Sequence, residues 1–278
     1  MTAPTTGSLR VNGATLHYEV RGRGPVLLLV PGGSGGAASF DPLADELAAE
    51  YTVATYDPRG MSRSTLDDPE AEQRVAEHAD DALRLLDLLS PGEPARVFGA
   101  SSGAIAALHL LTAHPERVER LVAHEPPAVE VLPDAAAHRA LVARVQETFR
   151  TQGLMPAMAV FAAGLKKDGD RTAPEAEVRL PPQAAARAER TMANLPYFVG
   201  RIVPAFMSYA PDTERLAALS DRLVLACGRD SRGELPYRPA AFLAERLGLE
   251  LRHFPGGHTG STTHPAEFGE ALRKALRA

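Results

Sequence analysis

The stretch from Ala95 to Leu111, ARVFGASSGAIAALHLL, decides the fold. A β-type run, ARVFGA, passes into a helical run, SGAIAALHLL, with no linker between them. A strand entering a helix through so sharp a turn needs small neighbours. Gly99 and Gly103 flank Ser101 in the pattern Gly-x-Ser-x-Gly. The turn lifts the Ser101 hydroxyl above the strand ends, and the first amides of the helix face the same space. The pattern recurs at Gly32-Gly33-Ser34-Gly35-Gly36, but helical patterning resumes only several residues beyond Ser34. Ser101 is therefore the candidate nucleophile. The bland alternative is a helix cap in a small-residue turn.

Outward from this turn, short apolar runs alternate with helical ones. Strands are expected at Ala14 to Arg21, Pro25 to Val30, Tyr51 to Tyr56 and Val118 to Ala123, with helices at Phe40 to Ala49 and Glu70 to Leu89. The alternation returns with strands at Leu223 to Cys227 and Leu249 to Phe254, and helices at Pro239 to Leu247 and Pro265 to Leu276. Strands separated by helices imply an α/β fold with a mainly parallel central sheet covered on both faces. Between them, residues 127–212 carry helical segments, many prolines and no convincing strand, and the stretch Lys166 to Pro182 reads as a loop. The expected organisation is a core of residues 1–126 and 213–278 with an inserted all-helical cap at 127–212.

Composition narrows the function. The chain has 278 residues, 45% of them apolar, enough for a sizeable core. Lys plus Arg number 30 against 35 Asp plus Glu, a net charge of −5. That balance argues against nucleic acid and an anionic membrane surface as partners. Cys227 is the single thiol, so neither an internal disulfide nor a multi-cysteine metal site can form. No carboxylate cluster has metal-ligand spacing, so no metal and no cofactor are expected. The apolar run Val26 to Val30 is far short of a membrane span, and Met1 to Ser8 has no signal-peptide pattern. The expectation is a cytoplasmic protein that acts on a small molecule, with homodimer formation left open.

A serine hydroxyl needs a base, and the base needs an orienting carboxylate. His258 sits in Phe254-Pro255-Gly256-Gly257-His258, just after the last strand. Parallel strands share their C-terminal edge, so that loop reaches the edge where Ser101 stands. Two acids compete. Asp230, in Gly228-Arg229-Asp230, follows a strand and gives the chain order Ser, acid, His. Glu125 directly follows the strand Val118 to Ala123.

With GASSG at 99–103, DPRGMSRS at 57–64, FPGGH at 254–258 and HEPP at 124–127, the chain resembles the α/β-hydrolase superfamily, in its serine-nucleophile, esterase-like branch with a helical cap. The resemblance covers about residues 8–126 and 213–278. It implies a triad of Ser101, Asp230 and His258, and an oxyanion hole made by the main-chain amides of Ser102 and Gly33. Two departures stand out. Relatives usually begin the glycine loop with His-Gly, where this chain has Pro31-Gly32, and many place the acid one residue later, at the position of Ser231. The second departure shifts weight toward Glu125. Relatives acting as dehalogenases or epoxide hydrolases use a carboxylate nucleophile at this turn, and dehalogenases typically hold halide with tryptophan. This chain has Ser101 and no Trp.

The implied chemistry is hydrolysis of a carboxylic ester or thioester through an acyl-serine. Met155, Met158, Phe161, Met192, Phe198, Phe206 and Tyr209 in the cap are the candidate lining for an apolar substrate group. For any one of them, ordinary cap core is the simpler explanation. The same triad could instead serve carbon–carbon bond hydrolysis, perhydrolysis or cyclisation. A non-catalytic ligand-binding protein is more remote. So is a dinucleotide-binding oxidoreductase, read from Gly33-Ser34-Gly35-Gly36-Ala37-Ala38 with Asp57 as ribose ligand.

Overall fold

In the strand Val26–Val30 (β3), Leu27 and Leu29 face one side of a sheet while Leu28 and Val30 face the other, and all four are buried. This is the two-sided burial that a continuous apolar run predicts for a central parallel strand. The computed structural model describes residues 3–166 and 182–277. Around β3 lie Thr5–Val11 (β1), Ala14–Arg21 (β2), Thr52–Tyr56 (β4), Thr65–Leu66 (β5), Ala95–Ala100 (β6), Val118–His124 (β7), Leu223–Gly228 (β8) and Arg252–Phe254 (β9). The order is β1-β2-β4-β3-β6-β7-β8-β9, with β5 beside β2. From β4 to β9 neighbouring strands run parallel, whereas β1, β2 and β5 add an antiparallel edge.

Helices cover both faces. Val75–Leu89 (α2) and Ser102–Ala113 (α3) pack on the side of Leu28 and Val30, and Asp41–Leu47 (α1) and Pro265–Arg277 (α11) on the side of Leu27 and Leu29. The chain steps from β3 outward to β4, then returns across β3 to β6. The loops after β3 and β6 therefore diverge at a topological switch point, where open α/β sheets place their ligands.

Between β7 and β8 the described chain is helical: Ala135–Gln152 (α4), Leu154–Leu165 (α5), Pro182–Tyr197 (α6), Val203–Met207 (α7) and Thr213–Ala218 (α8). A π-helical turn, Phe198–Ile202, joins α6 to α7. In such a turn the Val199 carbonyl would accept from residue 204, which is proline and has no N–H. Gln146 Nε2 donates to it instead, at 2.7 Å. The remaining helices are Tyr237–Leu247 (α9) and Gly260–Thr263 (α10). The expected loop from Lys166 to Pro182 lies almost wholly outside the described residues. Helix α2 starts at Val75 rather than Glu70, because Pro69 and the polar residues around it form turns and Val75 is the first side chain to reach the core.

Asp57 and Arg59, just past the end of β4, are each held by different partners. Asp57 is buried, accepts from the Ala37 amide at 2.9 Å, and pairs with Arg63 at 2.7 Å. Arg59 makes a two-pronged buried bond to Asp81 of α2, at 2.7 and 2.6 Å. Asp57 is thus spent on holding the glycine loop. The dinucleotide reading, which needs it free for a ribose, fails on that contact.

Two buried imidazoles make the fold sensitive to acid. His124 sits among Phe98, Phe254 and Phe268, its Nε2 without a hydrogen-bond partner, and His78 of α2 packs edge-on against Phe206. Burial lowers their pKa values from 6.5 to about 4 and about 3. Below pH 6.5 the unfolded chain binds protons that the folded chain refuses. Stability therefore falls as pH drops from 6.5 toward 4, by about 1.4 kcal/mol per pH unit for each group. His124→Phe, which suits its aromatic surroundings, is expected to lose about 4 °C less in melting temperature than the native chain between pH 7.5 and pH 5. Equal losses would refute this assignment.

Candidate active site

Ser101 holds φ 54° and ψ −126°, a conformation that L-residues rarely adopt. Its amide donates to the His124 carbonyl at 2.9 Å, which ties the turn to β7. The flanking glycines are dictated by contact. A Cβ on Gly99 would stand 2.7 Å from the Ala104 Cα, and one on Gly103 would stand 2.3 Å from the Val30 carbonyl oxygen. The sequence pattern and the strained turn are thus one feature.

Glu125 follows β7 directly and also has positive φ, 48°. Its amide donates across to the Ala226 carbonyl of β8 at 2.9 Å, which fixes the reversal. The side chain is fully buried. Oε1 accepts from the Gly228 amide at 2.8 Å, and Oε2 meets His258 Nδ1 at 2.6 Å. Burial opposes the ionisation of Glu125, but the bond to His258, the neighbouring imidazoles of His124 and His258 and, least, the Gly228 amide together outweigh it and hold its pKa below the usual value. An ionised Glu125 puts the ring proton of neutral His258 on Nδ1 and leaves Nε2 as the acceptor. Burial, reinforced by the charge on Glu125, pushes the Cys227 thiol up, so it stays protonated.

The structure therefore pairs His258 with Glu125, and not with Asp230. Asp230 is exposed, and among the described residues its carboxylate has no hydrogen bond to His258. What residues 229 and 230 contribute is main chain. Their amides donate to the Phe254 and Gly256 carbonyls at 3.0 and 3.1 Å, and so anchor the loop that carries His258.

Ser101 and His258 line one cavity of about 400 Å3 together with Gly33, Ser34, Ser102 and Thr259. Its far wall is apolar and includes Met158, Phe161, Phe198 and Phe206, with Phe161 and Phe198 in edge contact at 5.7 Å. Three other expected lining residues lie elsewhere. Met155 and Met192 are 64% and 53% exposed on outward faces of α5 and α6. Tyr209 lies beyond the end of α7, and its hydroxyl meets His109 Nδ1 at 2.8 Å. Leu165, Leu195, Ile202, Val203 and Met207, which the sequence did not single out, also line the wall. Phe198, Ile202 and Phe206 are spaced four apart, a stripe that marked this face.

Asn194 of α6 was also missed. It is buried, and it donates to the Ser34 carbonyl at 2.8 Å and to Ser62 Oγ at 2.9 Å, while its Oδ1 accepts from the Ser62 amide at 2.8 Å. One helical side chain thus joins the glycine loop to the loop after β4. Among the described residues no group of three or more His, Cys, Asp or Glu could hold a metal ion, and no helix is long and apolar enough to cross a membrane.

Comparison with known proteins bears on the fold. The family model described as the alpha/beta hydrolase fold matches residues 25–173. An uncharacterized hydrolase of Bacillus subtilis (strain 168), YraK, is 38% identical over 277 residues, spanning 97% of this chain and 95% of that protein. A zearalenone hydrolase of Cladophialophora bantiana is 28% identical over 273 residues, again 97% of this chain and 95% of its own. The solved structure of a thermophilic esterase from Thermogutta terrifontis has a TM-score of 0.73 at 21% identity, covering 99% of this chain and 98% of that one; the likeness is one of fold.

Proposed function

Because the chain belongs to the α/β-hydrolase fold family, we propose that it is a serine hydrolase that cleaves a carboxylic ester or thioester bearing an apolar group. The observation that carries this reading is the Glu125–His258 bond of 2.6 Å beside a strained Ser101 that shares a cavity with the imidazole. In the proposed reaction Nε2 of His258 takes the Ser101 proton as Oγ attacks the carbonyl carbon. Glu125 keeps the other ring proton on Nδ1 and stabilises the imidazolium. The tetrahedral oxyanion sits against the start of α3. Its collapse expels the alcohol or thiol, which receives the proton from His258. Water, activated by the same base, then releases the acid from Ser101.

The apolar wall supports an apolar acyl or alcohol group, since a cavity of about 400 Å3 takes a medium-sized one. Phe161 is only partly buried, so its truncation spares the fold. Phe161→Ala removes contact worth about 1.5 kcal/mol to a long apolar group. It is expected to raise KM for a p-nitrophenyl octanoate about tenfold and to leave the acetate unchanged. Equal effects on both esters would refute the assignment of this wall to substrate.

Steady-state assays on p-nitrophenyl esters and acyl thioesters of increasing chain length test the function itself, with zearalenone included because a relative bears that name. The reading predicts turnover of esters that improves with apolar length. Silence toward every ester, thioester and lactone offered would overturn it.

A further inference from the structure

The Gly33 amide, which the family resemblance assigns to the oxyanion, is already engaged. It donates to Ser102 Oγ at 2.9 Å. A hydroxyl has one proton and two lone pairs to offer. Gly33 occupies one lone pair, and among the described residues the Ser102 hydroxyl proton has no acceptor. Nor does the Ser102 amide, the first of α3, donate to any described group. Ser102 is buried, lies next to Ser101 in the chain, and lines the same cavity as Ser101, Gly33 and His258. An unspent donor in a mostly apolar cavity awaits an acceptor, and the oxygen of a bound carbonyl is one.

We propose that the side-chain hydroxyl of Ser102 is a catalytic hydrogen-bond donor to the oxyanion, primed by the Gly33 amide behind it. The inference rests on the acyl-serine reading and adds a residue to it. Ser102 then supplies two donors, its amide N–H and its Oγ–H, and Gly33 acts through the second. The Gly33 bond withdraws charge from Oγ and makes its proton the better donor as negative charge builds on the substrate oxygen. No proton is transferred to the oxyanion: the Oγ–H bond stays intact throughout. The glycine loop need not break its contact for the reaction to proceed, which fits its fixing by Asn194 and Asp57.

Ser102→Ala and Ser102→Cys test this. Alanine removes the hydroxyl, and cysteine keeps its shape but offers only a weak donor. In both variants kcat is expected to fall about 10²–10³-fold, with KM within threefold of the native value. The affinity for a trifluoromethyl ketone analogue of the intermediate is expected to fall in parallel. Native-like activity in Ser102→Ala, or a gain, would overturn the proposal, because the hydroxyl would then merely block Gly33. Recovery in Ser102→Cys alone would also overturn it, since shape and not donation would matter. Labelling of native Ser101 by a fluorophosphonate, run alongside, separates the two claims. Labelled native enzyme with unaffected Ser102 variants sinks the donor alone, whereas unlabelled native enzyme sinks the acyl-serine reading beneath it.

Discussion

Ser101→Ala is expected to lower kcat on its best ester by about 10⁵-fold, while substrate binding stays within a few-fold. The magnitude follows from the division of labour in the cavity. Without Oγ no acyl-enzyme forms, and His258, Glu125 and the α3 amides can at most assist direct attack by water. The substitution removes one oxygen atom from a turn whose shape is set by Gly99 and Gly103 contacts, and it relieves no clash. Thermal midpoints of the two proteins are therefore expected to agree within about 2 °C. A kcat reduced by less than tenfold would place the nucleophile elsewhere, with Ser34, the centre of the other Gly-x-Ser-x-Gly stretch, as one candidate on the cavity wall.

Glu125→Gln is expected to lower kcat by about 10⁴-fold, and Asp230→Asn by less than twofold. In the native site Oε1 accepts from the Gly228 amide, and a glutamine oxygen can continue to do so. That leaves the glutamine NH2 facing His258 Nδ1. The ring must then accept at Nδ1 and carry its proton on Nε2, where it can no longer take the proton of Ser101. The loss is one of tautomer as much as of charge, and equivalent changes in serine proteases cost about 10⁴. Asp230 is exposed and contributes only its main chain to the His258 loop, which Asn preserves. Kinetics of the two single variants decide the matter. Intact kcat in Glu125→Gln together with inactivity in Asp230→Asn would reverse the assignment.

The parts of this site that could be read in the sequence are those whose cause is local. The turn at Ser101 was legible because its steric demand falls on residues two positions away, and the His258 loop because a strand, a proline and two glycines announce it. The triad acid was not legible, because β7 and β8 are parallel neighbours that end at the same edge, with His124 opposite Ala226. Both strands offer a carboxylate there. The choice depends on the left-handed backbone at Glu125 and on the Gly228 amide coming from the other strand. Strand β1 went unread because TTGSLRV is an exposed edge with almost no apolar alternation. Asn194 carried no signal either. Its meaning lies in loops 132 and 160 residues away in the chain, which nothing in its helix foretells. In the apolar wall, composition pointed to methionines and aromatics, but helical phase decides which of them face inward. Met155 and Met192 were right in chemistry and wrong in direction.

The proposed hydrolysis requires that Ser101 become covalently acylated, with His258 as its base. Peptide mass mapping after treatment with a fluorophosphonate tests it most directly. One adduct per chain is expected, on Ser101, formed at a much reduced rate in Glu125→Gln and absent in Ser101→Ala. An enzyme that hydrolyses esters while Ser101 stays unmodified, or that carries its adduct on another residue, would contradict it.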